Sequence, residues 1–235
     1  RLPSKEQIEV RFLAGAYNFS MSFLQEKFPH ILLISYLALF VWLGLEPYSR
    51  AVWFAENLPI LAIVIVLLVL YFRGVRLSNT SYALMSILIF WNTVGGHFTF
   101  ARVPFDWFND LFGFERNMYD RVGHFGVGFY AYAILELLDR YEIVRKRAVA
   151  YLFSFFAIAF IALSYEVLEW AVAVTYGGDV GPAFLGIQGD EWDAQKDVLL
   201  NMVGATLALS LYFTVNVWHS HRQERPALWH ASTSE

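Results

Sequence analysis

The residues best suited to chemistry in this chain fall in four short stretches. Asp120 and His124 stand four apart in DRVGH and share one face of any helix that carries them. A carboxylate beside a neutral imidazole suits Zn, Mn or Fe, or forms an acid/base couple. Glu166 and Glu169, three apart in YEVLEW, make a second pair on one helical face, and Asp193, Asp197 and Asn201 follow at spacing four in DAQKDVLLN. His97 closes the run GGHFTF. Each feature also has a plainer use. Asp120 could complement a helix dipole, Glu166 or Glu169 could pair with Arg116 or Arg121, and His97 could make a hydrogen bond between helices.

These residues sit in a very apolar chain. Of its 235 residues 57% are hydrophobic, 18% aromatic and 16% charged, against about 25% charged in soluble proteins. A soluble globular domain is excluded, and the fold class expected is all-α, a polytopic bundle of about six transmembrane helices. Apolar runs place the spans near 30–45, 53–72, 81–100, 122–138, 148–175 and 198–217. The domain plan is then an amphipathic membrane-surface segment at 1–29, the six-helix domain at 30–217 and a cytoplasmic tail at 218–235. The opening residues lack the basic start, apolar centre and cleavage site of a signal peptide.

Lys and Arg in the connections set sidedness. Twelve fall on one side and five on the other, which puts both termini in the cytoplasm of a multi-pass bacterial inner-membrane protein. Topology then carries all four polar stretches to the outer face. Seven carboxylates collect there (Asp120, Glu166, Glu169, Asp190, Glu191, Asp193 and Asp197) against three bases, Arg116, Arg121 and Lys196. A low-dielectric site holds such an excess only with a bound cation or with protons taken up. Glu136 and Asp139, beside Arg140, read as solvated residues at the opposite end. The net charge of −4 offers nucleic acid no basic footprint, and the lack of cysteine excludes disulfides, thiolate-held metals and thiol nucleophiles.

The strings ERNMYDRVGHFGVGFY, YEVLEW and GIQGDEWDAQKDVLLNMVGA resemble the DUF2238 family, the YjdF-like inner-membrane proteins, and through it the broader VanZ-like group. The likeness runs over roughly 91–209, about half the chain. It implies a pattern of Asp120 and His124, then Glu166 or Glu169, then Asp193, Asp197 and Asn201. The Gln and Arg that VanZ-like members place after the middle acid have no direct counterpart, Gln188 being the nearest substitute.

The expected function is a metal-dependent hydrolase or transferase acting on a lipid or lipid-linked headgroup. Asp120, His124, Asp197 and His97 are the candidate ligands of a divalent ion (Zn, Mn, Mg or Fe). Glu166, Glu169 and Asp193 are the candidate catalytic acids and bases, and Lys196, Arg121 and Arg116 the candidate headgroup contacts. Asn201, Gln188 and Asp190 would support them. The alternatives are a proton- or cation-coupled small transporter or lipid-binding protein, which with so few spans requires a homodimer, and an accessory subunit whose acids meet a partner's bases. Membrane lipids are the expected partners.

Overall fold

A computed structural model describes residues 26–176 and 188–224, with side chains described as far as 216. The surface segment expected at the N-terminus and the cytoplasmic tail lie largely outside those residues. Within them the chain is helical: α1 (Glu26–Leu45), α2 (Arg50–Phe72), α3 (Asn79–Phe98), a 3-10 turn (Phe100–Arg102), α4 (Asp106–Phe112), α5 (Tyr119–Val127), α6 (Tyr130–Arg140), α7 (Arg147–Tyr176) and α8 (Asp193–Glu224). Four of these, α1, α2, α7 and α8, are long and apolar enough to cross a membrane. The other two expected spans fall on α3, which buries Ser81 and Thr93, and on α5 with α6, which meet at a break.

The break has a local cause. Around Gly126 and Gly128 the ladder tightens to three-residue steps, with Phe129 N–H on the Gly126 carbonyl at 3.1 Å and Ala131 N–H on that of Gly128 at 3.0 Å. Gly128 faces α8 at the same level, where Gly204 faces back. A Cβ on Gly128 would stand 2.5 Å from the Gly204 carbonyl carbon, and one on Gly204 would strike the Phe125 carbonyl. Small residues let two main chains touch in a membrane, where no hydrophobic effect pushes helices together. The crossing therefore depends on glycine at both positions.

α5 and α6 run between α3 on one side and α7 and α8 on the other. Below the crossing, α6, α7 and α8 close on a core that includes Ala131, Leu135, Ile158, Ala205, Ala208 and Tyr212. Tyr36, Ile60, Val64, Leu88 and Ile89 make the corresponding core of α1, α2 and α3. A third device joins the halves at the far end, and it corrects the expectation for Glu136. Rather than solvated, Glu136 is buried, accepting from the Ser78 backbone N–H and hydroxyl at 2.7 Å each, from the Ser81 hydroxyl, and from Arg140 at 2.5 Å. Its carboxylate caps the N-terminus of α3, where backbone donors have no helical partners. Asp139 accepts from the Tyr212 hydroxyl at 2.8 Å.

Replacing Gly128 by Ala is expected to cost about 1–3 kcal/mol through overpacking. Gly126→Ala should be neutral or slightly stabilising, since its Cβ would lie 4.0 Å from Leu88 Cβ. Thermal unfolding midpoints in detergent check this, and equal effects of the two changes would mean that the crossing is not close-packed.

Candidate functional site

Each wall of the site is fixed by a specific lock. Trp91 of α3 and Tyr119 of α5 stack with ring centroids 4.1 Å apart. The Tyr119 hydroxyl donates to the Trp91 carbonyl at 2.9 Å, and the Trp91 indole N–H to the Tyr119 carbonyl at 2.9 Å. Asp120 is thereby held at the head of α5. On α2, Pro59 takes an N–H out of the ladder, and the Asn92 amide of α3 donates to the Glu56 carbonyl at 2.9 Å in the turn before it. Gly96 lets α3 approach, since a Cβ there would lie 2.8 Å from Asn57 Nδ2 and 3.2 Å from Glu56 Cβ. Together these place Glu56 inside the bundle.

The loop before α8 is tied to the loop before α5. Asn117 N–H donates to Gln188 Oε1 at 3.0 Å, and Gln188 Nε2 to the Asn117 carbonyl at 3.1 Å. Asp190 accepts the Trp192 N–H at 3.1 Å just ahead of the first turn of α8. All three expected bases then converge on two aspartates. Arg116 donates to Asp193, Arg121 to Asp190 and, at 3.1 Å, to Asp193, and Lys196 to the two oxygens of Asp190 at 2.9 and 2.6 Å. Charge-assisted bonds of this kind are the strong ones, and here they form a clamp across one end of the bundle.

One turn deeper the composition changes. The ligand atoms of Asp120, His124 and Asp197 all lie within 4.8 Å of one another. His124 Nε2 is 3.7 Å from Asp120 Oδ1, while His124 Nδ1 is 3.9 Å from Glu166 Oε1 and 3.1 Å from the Asn201 amide. Asn201 Nδ2 also donates to the Asp197 carbonyl at 2.7 Å, which sets it one turn below Asp197 on the same stripe. Asp197 is 2% exposed and Asn201 fully buried, yet Asp197 Oδ1, Asn201 Oδ1 and Glu166 Oε1 have no hydrogen-bond partner. Buried acceptors left in this state are rare and call for an explanation. The nearest base to Asp197 is Arg121, whose Nε stands 3.8 Å from Oδ1.

Beside this group lies a cavity of about 180 Å³ between α2, α3, α5, α7 and α8. Glu56, Asp120, His124, Tyr165, Glu169 and Asn201 line its polar part, and the Tyr165 hydroxyl donates to Glu56 Oε2 at 3.4 Å, linking α7 to α2. Asp120, Glu166 and Asp197 thus stand around one histidine, with Glu56 and Glu169 across the adjoining cavity, while the hydrogen bonds of the bases go to Asp190 and Asp193.

Residues 28–217, a range that holds every one of these side chains, match the family described as predicted membrane protein (DUF2238). The chain belongs to that family. It is 35% identical over 168 residues to the inner membrane protein YjdF of Escherichia coli (strain K12), an alignment covering 70% of this chain and 79% of the relative. No solved structure matches it. Its helices and its family make it a multi-pass inner-membrane protein.

In this family member the spacing arguments and the geometry meet unevenly. Asp120, His124, Glu166, Asp197 and Asn201 come together, and Glu169 faces the adjoining cavity. His97 does not join them: its Nδ1 is 2.7 Å from the Leu43 carbonyl, in the α1–α3 contact, which is the plainer use of that residue. Asp193, Arg116, Arg121, Lys196 and Asp190 form the clamp, and Gln188 ties its loops. Spacing alone does not single out Glu56 or Tyr165. The signal for Glu56 is an isolated acid in an apolar span, because α2 brings it to the site from a helix with no other candidate.

Asp190 lies outside the membrane-spanning helices, and its hydrogen bonds from Lys196 and Arg121 hold its carboxyl well below the ordinary carboxylate range. A group depressed on folding contributes stability above its unfolded pKa of about 3.9, and that contribution is lost as the pH falls below it. Asp190→Asn should therefore lower the unfolding midpoint near neutral pH, with the gap to wild type narrowing as the pH is taken from about 5 towards 2. A gap that does not change with pH would show that the clamp is not stabilised by this ionised carboxylate.

Proposed function

We propose that this protein is a divalent-cation-dependent membrane enzyme that hydrolyses, or transfers a group on, a lipid or lipid-linked headgroup. The observation that carries the reading is the convergence of Asp120, His124 and Asp197 to within 4.8 Å, with two of the three buried. One imidazole and two carboxylates suit Zn, Mn or Fe better than Mg, which favours oxygen ligands alone. Metal–ligand distances of about 2.0–2.2 Å require these side chains to close slightly by rotation. Such an ion supplies Lewis acidity for hydrolysis or transfer.

The chain's own residues then divide the remaining work. Glu166, with Oε1 3.9 Å from the second nitrogen of His124, lies close enough to steady the ring's orientation as an outer carboxylate. Glu169, in the cavity wall, is placed to take a proton from a bound nucleophile. Asp193 is engaged by two arginines, so it positions the head of α8 and leaves proton transfer to the glutamates. Arg116, Arg121 and Lys196 hold the clamp rather than a headgroup.

Transport by the same carboxylates needs a polar path through the bundle. Below Asn201 the described interior packs Leu135, Ile158, Ala205 and Ala208, each at most 2% exposed, and the hydroxyls of Ser154 and Tyr212 there donate within the bundle, to the Ala150 carbonyl and to Asp139. That packing favours the enzyme reading.

Elemental analysis of the purified protein is expected to find about one divalent ion per chain. Asp197→Asn and His124→Ala should each weaken ion binding by at least about tenfold, while Lys196→Ala leaves it unchanged. Reconstituted wild type should release a headgroup product only with the ion present. Absence of stoichiometric ion, or pH-driven flux without product, would overturn the proposal.

A further inference from the structure

The cavity beside the Asp120–His124–Asp197 group has a one-sided chemistry. Among its described lining residues there is no Lys or Arg, and its carboxylates are Glu56, Asp120 and Glu169. Its donors are already engaged within the protein: the Tyr165 hydroxyl on Glu56, the Asn92 amide on the Glu56 carbonyl, and the Thr99 hydroxyl on the Phe98 carbonyl at 2.5 Å. Its acceptors outnumber them. The fully buried Asn201 lines the same space, and its Oδ1 has no hydrogen-bond partner. A pocket lined by carboxyl groups and an unpartnered amide oxygen, with no Lys or Arg, suits a ligand that is rich in donors and positive.

The rest of the lining is apolar, with Ile60, Ile63, Leu88, Val127 and Ile161 among it. Ile161 lines the cavity and is also 47% exposed on the outer side of α7, so the space opens sideways between α2 and α7 towards the surrounding hydrocarbon. A polar end beside the candidate ion ligands and an apolar end at the lipid face describe a site for an amphiphile lying along the bundle.

We infer that the cavity binds the ammonium headgroup of an amine-bearing amphiphile, with its alkyl chain leaving between α2 and α7. This rests on the proposed site for the place of chemistry, and it replaces a phosphate-first contact with an amine-first one. Glu56 and Glu169 accept from the ammonium, Asn201 Oδ1 takes a further N–H, and Ile60, Ile63 and Ile161 receive the chain.

The test is calorimetric titration of the full-length protein in nanodiscs, with dodecylammonium, dodecyl phosphate and butylammonium as probes. Dodecylammonium should bind at least about tenfold more tightly than either of the others. Glu56→Gln and Glu169→Gln, which keep shape, should each weaken dodecylammonium by about tenfold and leave divalent-ion content unchanged. Asp197→Asn should lose the ion and keep the amine, so failure of the ion site and failure of the amine site read out separately. Dodecyl phosphate binding as tightly as dodecylammonium overturns the headgroup assignment, and butylammonium doing so overturns the amphiphile. The comparison on wild type stands even where a variant fails to fold.

Discussion

At Gly128 and Gly204 the backbones of the α5–α6 segment and α8 come so close that no side chain fits between them. The polar contacts between α5 and α8 in the site depend on that approach. Four residues before Gly128 stands His124, and three before Gly204 stands Asn201, so the crossing presses the imidazole against the amide at 3.1 Å. Asp197 stands one turn before Asn201 on α8, and Asp120 one turn before His124 on α5. A wider crossing, set by any larger residue, would part the three ligand groups before any of them was itself altered. The three-residue hydrogen bonds at 126–131 are the local adjustment that lets one segment touch α8 above the crossing and pack into the α6–α7–α8 core below it.

The second organising element is the separation of charge along the site's depth. At the loop end, three bases meet two aspartates in a clamp, and the surplus positive charge lies towards the deeper group through Arg121, whose Nε stands 3.8 Å from Asp197 Oδ1. One turn deeper, Glu56, Asp120, Glu169 and His124 line a cavity with no Lys or Arg among its described lining residues, and Glu166 and Asp197 stand beside it. Burial of paired charge is tolerable, whereas burial of unpaired charge is costly, so the deeper carboxyl groups need the company of protons or of a cation. A divalent ion at Asp120, His124 and Asp197, and an ammonium group between Glu56 and Glu169, are chemically distinct ways to supply that company, and the two positions adjoin without coinciding.

Much of this was legible from spacing and topology. Asp120 with His124, and Asp197 with Asn201, share faces because of helical periodicity, and alternating spans bring them to one level. The helical class and the membrane location follow from composition. What spacing cannot give is partner choice across helices. Arg116, Arg121 and Lys196 read as headgroup contacts, or as partners of Glu166 and Glu169, because spacing does not show that Asp190 and Asp193 engage all three. Glu136 reads as solvated because its partners, Ser78 and Ser81, are far away in the chain. Glu56 is passed over for the same reason: α2 offers one acid and no motif, and its role exists only once Gly96 and Asn92 draw α3 against it. His97 looked like a ligand by type, yet its level in the fold gives it to the Leu43 carbonyl.

The most direct test of the central claim is the electron-spin-echo modulation of Mn(II) bound to the purified protein. The α5–α8 crossing predicts one directly coordinated imidazole nitrogen, absent in His124→Gln and present when His219, His221 and His230 of the tail are all replaced. A bound ion with no nitrogen coupling, or one whose coupling survives His124→Gln, would contradict the account.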